Sequence, residues 1–211
     1  MKKNFCDYSL YVFDLDGTLY DQPRLRLIMA ARLGTYYLLR PHRVGELFIL
    51  QHFRRVKDDS VTSSEDEIIE KVASDKHTSF EKVRSIVDRW IYENPLSALA
   101  LTKDEKLAEV IQKLRAKGKR VVILSDYPTK DKLAALDIEV DASFGPDDPR
   151  IDELKPSPKG LLVIMEDLNI PAGDVLMIGD RAEKDGECAK AAGVDSLILE
   201  RSVAKRKDIE V

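Results

Sequence analysis

Three short apolar runs, each of which stops abruptly at a polar residue, most constrain the fold of this chain. The runs are SLYVF before Asp14, VVIL before Ser125 and VLMIG before Asp180. Runs this short and this rich in Val, Ile, Leu and aromatic residues, with helical periodicity between them, are typical of buried strands in a parallel sheet. Because ligands bind beyond the carboxyl ends of such strands, we expect two carboxylates and a hydroxyl at one edge of one sheet.

A long interval with helical periodicity follows the first strand. It lies between two Pro-containing joints, near Pro23 and Pro95, and its roughly 75 residues are more than one crossover helix needs. After it, helical and strand patterns alternate, which is typical of a three-layer α/β fold. We therefore predict a Rossmann-like parallel sheet core at 1–20 and 104–211, with an inserted all-helical cap domain and its hinge linkers at 21–103.

The predicted elements follow from periodicity and from residues that favour helix ends. Predicted cap helices lie at about 24–39, 42–57, 65–76 and 79–93. Three residue pairs have the spacing of a capping box at a helix start: Ser64 with Glu67, Thr78 with Glu81, and Thr102 with Glu105. Further strands are predicted at about 139–144, 174–178 and 196–199, and further helices at about 129–136, 158–168 and 184–192. The charged tail, 205–211, is expected to fray.

Composition argues against several classes of function. The chain has 34 Lys and Arg against 38 Asp and Glu, so its net charge of -4 gives no global reason to expect nucleic-acid or membrane binding. No stretch reaches the ~18 apolar residues of a membrane span, and the first apolar run is too short for a signal peptide. Cys6 and Cys188 lack metal-ligand spacing and are too few for a disulfide scaffold. We expect a cytoplasmic protein, and its oligomeric state is left open.

Four motifs carry a family resemblance: DLDGTL at 14–19, the strand that ends in Ser125, KPSPKG at 155–160 and GDRAEKDGECAKAAG at 179–193. In order and spacing they resemble the four motifs of the haloacid dehalogenase-like hydrolase superfamily. The resemblance covers most of the predicted core, about 8–20 and 104–200. The helical interval matches only in position, where the superfamily carries helical caps between its first and second motifs.

The residues themselves also indicate the chemistry. A phosphate monoester is a dianion, which repels a carboxylate nucleophile such as Asp14 unless a cation lies between them. Mg²⁺ suits this role because it prefers oxygen ligands and is held by one or two carboxylates, waters and substrate phosphate. Asp14 and Asp180 are the predicted metal ligands, and the resemblance implies that Asp16 adds its backbone carbonyl. Asp14 would then attack phosphorus and form an aspartyl-phosphate intermediate.

The other polar residues have predicted roles around this nucleophile. Asp16 can protonate the departing alcohol and later take a proton from the hydrolytic water. Ser125 and Lys155 are expected to hold the phosphoryl oxygens, where negative charge is spread in the transition state. Asp185, which follows Asp180 in the same motif, is expected to brace Lys155 or a water on the metal. The predicted substrate is a small-molecule phosphomonoester, whose identity the sequence leaves open.

The acid at Asp16 favours a phosphatase among the reactions of the resembled superfamily. Its dehalogenases lack an acid at this position because a departing halide needs no proton, and its phosphonate-cleaving members carry a small residue there. Phosphomutases share both aspartates of the first motif, so a phosphomutase remains the alternative. A ligand-binding or regulatory module with secondary catalysis is a further alternative, although Asp14, Asp16 and Asp180 are all present.

The predicted cap begins with a strongly basic stretch, 24–57, in which Glu46 is the only acid. Its basic residues are Arg24, Arg26, Arg32, Arg40, Arg43, Arg54, Arg55 and Lys57. An acidic group follows, which comprises Asp58, Asp59, Glu65, Asp66, Glu67 and Glu70. One interpretation is that the two sets neutralise each other on solvated helix faces. The other is that Arg24, Arg26 or Arg32 faces the catalytic edge and selects a substrate with a second anionic group.

Overall fold

The computed structural model of the chain describes residues 4–60, 62 and 64–209. Its strands are β1 (Leu10–Phe13), β2 (Arg120–Leu124), β3 (Ala142–Phe144), β4 (Val175–Gly179) and β5 (Asp195–Ile198). They form one sheet in the order β3-β2-β1-β4-β5, and every neighbouring pair runs parallel. The predicted parallel sheet is therefore confirmed.

Strand β1 lies in the middle of the sheet, and its two neighbours bring the ends of three strands together. Phe13, the last residue of β1, pairs with Ile123 of β2 on one side and with Ile178 of β4 on the other. The three strands therefore end at nearly the same level. Their following polar residues share the carboxyl edge of the sheet, as predicted.

Helices fill the interval between β1 and β2: α1 (Gln22–Leu39), α2 (Glu46–Asp59), α3 (Glu65–Asp75), α4 (Phe80–Val87), α5 (Asn94–Leu99) and α6 (Glu105–Ala116). A π-helical segment, Asp88–Glu93, joins α4 to α5. The later helices are α7 (Lys130–Leu136), α8 (Lys159–Leu168) and α9 (Glu187–Ala192). We call α1 to α5 with the π-helical segment the helical insertion; its status as a separate cap domain stays a prediction. Within the described ranges, no helix has the length and apolar content that crossing a membrane requires.

Both faces of the sheet are covered. Tyr11 and Phe13 of β1 belong to a hydrophobic cluster with α6, α7 and the helical insertion, whereas Leu10 and Val12 belong to a second cluster with α8 and α9. The two sets alternate along the strand, as side chains of a strand do. Because both sets are buried, β1 reads as a continuous apolar run. The predicted three-layer, Rossmann-like α/β fold is confirmed.

For two of the three predicted helix caps, the structure has a different capping residue from the one predicted. Ser64 caps α3 as predicted, accepting a backbone N–H at 3.4 Å. Helix α4 is capped by Ser79 and not by Thr78, and α6 is capped by Asp104 and not by Thr102. The buried hydroxyl of Thr102 instead donates to a carbonyl oxygen of the preceding turn, at 3.0 Å. Because Ser and Thr hydroxyls also bond backward to carbonyls, spacing alone could not choose between neighbouring caps.

The C-terminal tail does not fray over its described part, which corrects the expectation from its charge. Only 7% of the Arg206 side chain is exposed. Its guanidinium donates to the carbonyl oxygens of Gly17 and Thr18, both at 2.6 Å, and to Asp104 at 2.8 Å. Ile209 packs against the larger hydrophobic cluster. The charged composition of the tail predicted fraying. The prediction failed because composition does not reveal which acceptors elsewhere in the fold bind the Arg206 guanidinium.

Candidate active site

Asp14 lies directly beyond the central strand β1, where its backbone and its side chain are both held by hydrogen bonds. Its backbone N–H donates to the carbonyl of Ile178 at 2.8 Å, which extends the pairing of β1 with β4 by one residue. Its Oδ1 accepts from Lys155 Nζ at 2.5 Å, and its Oδ2 accepts from Thr18 Oγ1 at 2.9 Å. The carboxylate is therefore oriented by two donors at the edge of the sheet.

Lys155 reaches this edge from the loop before α8. Its side chain is 5% exposed, and its ammonium donates to Asp14 at 2.5 Å, to Asp185 at 2.7 Å and to the carbonyl of Leu124 at 3.4 Å. Burial by itself lowers the pKa of Lys155, but the carboxylates of Asp14 and Asp185 hold it well above the ordinary lysine value. Lys155 therefore stays positively charged.

Asp180 follows β4 and lies beside Asp14, but it has no comparable partner. The residue is 5% exposed, and neither carboxylate oxygen has a hydrogen-bond partner within the described chain. The nearest cation is Arg201, whose Nε lies 3.7 Å from Oδ2. Burial raises the pKa of Asp180, and the negative charge of Asp185 raises it further. A buried carboxylate without a hydrogen bond is costly, so a bound cation or a proton would stabilise this position.

The arrangement around Asp180 fits a divalent metal ion. One oxygen each from Asp14, Asp180 and Asp185 lies within 4.8 Å of the other two. Gly17 has a φ of +94°, and a Cβ at this position would lie 2.8 Å from Asp180 Oδ2, so only glycine lets the loop pass this close. Three carboxylates around one ammonium leave the cluster negatively charged. Hard cations such as Mg²⁺ prefer oxygen ligands of this kind.

Asp16 lies in a separate group of donors. Its Oδ1 accepts from the Tyr20 hydroxyl at 2.7 Å and from Lys132 Nζ at 2.5 Å, and its Oδ2 accepts from Ser125 Oγ at 3.2 Å. Burial by itself raises the pKa of Asp16, but the Lys132 ammonium and the three hydrogen bonds hold it below its ordinary value. Asp16 is therefore ionised in this arrangement.

Ser125 lies where the sequence predicted, directly beyond β2. It is 3% exposed, its hydroxyl donates to Asp16, and the same oxygen accepts from the backbone N–H of Tyr127 at 3.1 Å. Ser125, Lys155 and the first-motif aspartates thus meet at one edge of the sheet. Their phosphate-binding and catalytic roles stay predictions.

Asp185 supports the site from a π-helical segment, Ala182–Gly186. Its Oδ1 accepts from Lys155, and its Oδ2 accepts from the backbone N–H of Arg181 at 3.0 Å. Gly179 makes room for it, because a Cβ at that position would lie 2.3 Å from the Asp185 carboxylate. Of the two predicted contacts of Asp185, the one with Lys155 is present.

Sequence reasoning missed four residues of the site: Thr18, Tyr20, Asp126 and Lys132. Asp126 accepts the backbone N–H of Lys155 at 3.0 Å and so positions the loop before α8. Thr18 and Tyr20 each lie four residues after the aspartate they contact, a spacing that could have indicated them. Lys132 lies on α7, far from Asp16 in the chain, and no local pattern could have found it.

A cavity of about 650 Å³ opens in front of the two first-motif aspartates. Its wall combines the polar edge of the sheet with side chains of the helical insertion. The insertion contributes apolar surface, including Leu25, Met29, Trp90 and Leu96. Trp90 is 3% exposed, and its Nε1–H lacks a hydrogen-bond partner among the described residues. The cavity can therefore hold a small molecule that has both polar and apolar parts.

Comparison with known proteins gives one family match. A family model described as haloacid dehalogenase-like hydrolase matches residues 8–193, which include β1 to β4 and all six predicted site residues. Comparison with curated proteins finds no significant match.

Solved structures of similar fold come from proteins with different reactions. A proposed β-phosphoglucomutase from Thermotoga maritima has 20% identity, a TM-score of 0.60, and coverage of 90% of this chain and 85% of that chain. A 2-haloacid dehalogenase from Pseudomonas syringae has 16% identity, a TM-score of 0.63, and coverage of 91% and 86%. A predicted phosphoglycolate phosphatase from Haemophilus somnus has 19% identity, a TM-score of 0.61, and coverage of 93% and 87%. At these identities the likeness concerns the fold.

Proposed function

The chain belongs to the haloacid dehalogenase-like hydrolases, and on this premise we propose that it is a magnesium-dependent phosphatase that hydrolyses a small phosphomonoester. The observation that carries the proposal is that Asp14 contacts the charged Lys155 and lies beside the carboxylate of Asp180, which lacks a hydrogen bond within the described chain. A nucleophilic carboxylate, a cationic side chain and carboxylate oxygens placed to hold a metal ion are what phosphoryl transfer needs.

The carboxylates of Asp14 and Asp180, with the backbone carbonyl of Asp16, would hold Mg²⁺. When bound, the ion supplies positive charge that lets an anionic nucleophile approach an anionic phosphate. Asp185 accepts a hydrogen bond from Lys155 at 2.7 Å and so holds the ammonium beside Asp14.

In the first step, a carboxylate oxygen of Asp14 forms a bond to phosphorus while the bond from phosphorus to the alcohol oxygen breaks. Asp16 is ionised before substrate binds, so it takes up a proton from solvent as the anionic phosphate approaches, because that negative charge raises the pKa of Asp16. Asp16 then donates this proton to the departing alcohol. In the second step, water attacks phosphorus, Asp16 takes a proton from that water, and Asp14 leaves as a free carboxylate with release of inorganic phosphate. Lys155 and Ser125 hold the phosphoryl oxygens during both steps.

The acid at Asp16 supports a phosphatase over a dehalogenase, although one structural neighbour is a 2-haloacid dehalogenase. A departing halide needs no proton, whereas an alkoxide does. Tyr20, Ser125 and Lys132 all donate hydrogen bonds to Asp16 and so fix the orientation of its carboxylate, as a proton-transfer role requires. We therefore expect no halide release from 2-haloacids.

Mass spectrometry of the quenched protein tests the nucleophile. During turnover of a phosphomonoester with Mg²⁺, the peptide that contains Asp14 should gain a phosphoryl group. Asp14→Asn should lose this label and reduce turnover by several orders of magnitude, whereas Asp16→Asn should reduce turnover by ~10²–10⁴. A label on Ser125, or full activity in Asp14→Asn, would exclude the mechanism. Transfer of phosphate to a second hydroxyl of a sugar phosphate, without release of inorganic phosphate, would favour the phosphomutase.

A further inference from the structure

Two arginines of the helical insertion line the same cavity as the first-motif aspartates. Arg26 lies on α1 and Arg54 on α2, and both belong to the cavity wall. Neither guanidinium has a hydrogen bond or an ion pair with any residue that the structure describes. Two charged side chains without partners at a cavity wall are a starting point for ligand recognition.

The acids of the cavity wall are already engaged by other groups. The pairs are Asp14 and Asp185 with Lys155, Asp16 with Lys132, Asp58 with Arg181, and Glu183 with Arg181 and Arg201. The remaining acid, Asp126, accepts the backbone N–H of Lys155. None of these carboxylates forms an ion pair with Arg26 or Arg54 among the described residues.

Three other arginines of the basic stretch have contacts elsewhere in the structure. Arg43 pairs with Glu46, Arg32 donates to the carbonyl of Asn94, and Arg40 lies over the ring of Tyr36. Lys57 Nζ lies 3.8 Å from Glu65. Among the described residues, this is the only ion pair between the basic stretch and the acidic group that follows it. Direct ion pairing between the two sets is thus confined to Lys57 and Glu65 within the described chain. Of the three arginines expected at the catalytic edge, Arg26 lines the cavity.

Arg26 and Arg54 also lie close enough to affect each other. Desolvation by the surrounding protein lowers the pKa of Arg54, and the positive charge of Arg26 lowers it further, although Tyr127 opposes the shift. Arginine nevertheless stays charged at any physiological pH. Two like charges at one wall repel, and an anion between them would replace this repulsion with two charge-assisted hydrogen bonds.

We propose that Arg26 and Arg54 form a second anion-binding subsite, so that the substrate is a phosphomonoester whose leaving group carries a carboxylate or a second phosphate. The proposal rests on the proposed function, because it assumes that the reacting phosphoryl group binds at Asp14. Apolar side chains of the same cavity wall, such as Met29 and Leu96, are available to contact the apolar part of the leaving group.

Paired substrates test this proposal. In the wild-type protein with Mg²⁺, kcat/KM should be compared for phosphate esters that end in a carboxylate and for n-alkyl phosphates of the same chain length, over chains of increasing length. We expect one chain length at which the carboxylate-ended ester is preferred by at least about 10-fold, since hydrogen bonds to charged groups are among the stronger ones. Arg26→Gln and Arg54→Gln should each lower kcat/KM for that ester by about 10- to 100-fold and change the alkyl ester little.

Matched controls come from the adjacent arginines. Arg24→Gln on α1 and Arg55→Gln on α2 remove the same charge from exposed side chains that do not line the cavity. Both should keep the wild-type preference. If all four variants weaken turnover of the carboxylate-ended ester equally, the effect is one of net charge, and the subsite does not exist.

A binding measurement separates failure of this proposal from failure of the proposed function. Calorimetry with ω-carboxyalkylphosphonates and alkylphosphonates, which cannot be hydrolysed, reports the subsite without turnover. Tighter binding of the carboxylated probe that is lost in Arg26→Gln and Arg54→Gln supports the subsite even if no ester is hydrolysed. Asp14-dependent hydrolysis of alkyl phosphates without any preference for a second anion, in turnover or binding, would overturn the subsite alone.

Discussion

Asp180 is the residue on which the proposed metal site most depends. Its carboxylate is buried and lacks a hydrogen bond within the described chain, so its negative charge is costly in the metal-free protein. We expect Asp180→Asn to raise the free energy of unfolding of the metal-free protein by about 1 kcal/mol, because the neutral amide costs less to bury. The same substitution should remove stabilisation by Mg²⁺, which for the wild type reaches about 2.7 kcal/mol at a concentration 100 times Kd.

Urea unfolding in EDTA and in Mg²⁺ measures both effects. EDTA should also abolish phosphatase activity, and added Mg²⁺ should restore it. The idea of a metal site at Asp180 is wrong if Mg²⁺ stabilises the wild type and Asp180→Asn equally.

Lys132 determines the charge of Asp16, and this gives a dependence of stability on pH. The folded-state pKa of Asp16 is lowered, so its ion pair contributes stability above the ordinary aspartate pKa of about 3.9, and this contribution is lost as pH falls through the folded value. In Lys132→Met, burial raises the folded pKa instead. The variant should lose about 1–3 kcal/mol of unfolding free energy at neutral pH, with a smaller loss near pH 4.

Chemical denaturation of both proteins across this pH range tests the prediction. Lys130→Met is the control, because Lys130 is exposed on the same helix. A deficit in Lys132→Met that stays constant with pH would mean that packing, and not the charge of Asp16, accounts for the loss.

At the scale of the element, two glycines on helices should respond oppositely to alanine. A Cβ at Gly160 on α8 would lie 2.5 Å from Leu124 of β2, so Gly160→Ala should destabilise the protein by about 1–3 kcal/mol through overpacking. Gly34 on α1 has no atom within 4 Å of its Cβ position, so Gly34→Ala should stabilise by about 0.8–1 kcal/mol through helix propensity. Thermal unfolding measures both, and equal shifts of the same sign would contradict the packing argument.

At the scale of the whole molecule, Arg206 connects the C-terminal tail to the loop of the first motif. It bonds the carbonyls of Gly17 and Thr18 and pairs with Asp104, whose side chain is 4% exposed. Arg206→Met should lower the free energy of unfolding by about 3 kcal/mol, because Asp104 keeps its charge without its partner. Since the same loop carries Asp14 and Asp16, kcat should fall as well.

Lys207→Met is the matched control for Arg206, because the neighbouring lysine is exposed. Denaturation and turnover of the two variants should be measured together. Equal stability of Arg206→Met and Lys207→Met would show that the tail is not held in solution as the structure has it.

The sequence by itself determined the sheet and the position of six site residues. Asp14, Ser125 and Asp180 each end a strand that is buried on both faces, and such strands are recognisable from a few consecutive residues. Parallel pairing then places the carboxyl ends of these strands at one edge of the sheet. The side chains that follow the strands therefore meet there, and each can be located from the short sequence around its own strand. Asp185 could be predicted because it follows Asp180 in the same motif, and Lys155 because its loop, KPSPKG, resembles a motif of the superfamily.

Only the tertiary structure decided which cations surround these carboxylates. Lys132 contacts Asp16 across 116 positions of the chain, and Arg206 contacts Gly17 across 189. A long basic side chain has the same local pattern whether it is solvated or paired, so Arg26 and Arg54 could not be distinguished from Arg24 and Arg55 before the helices were packed. Apolar periodicity records which face of an element is buried, whereas the partner of a charge depends on where the fold brings distant elements together.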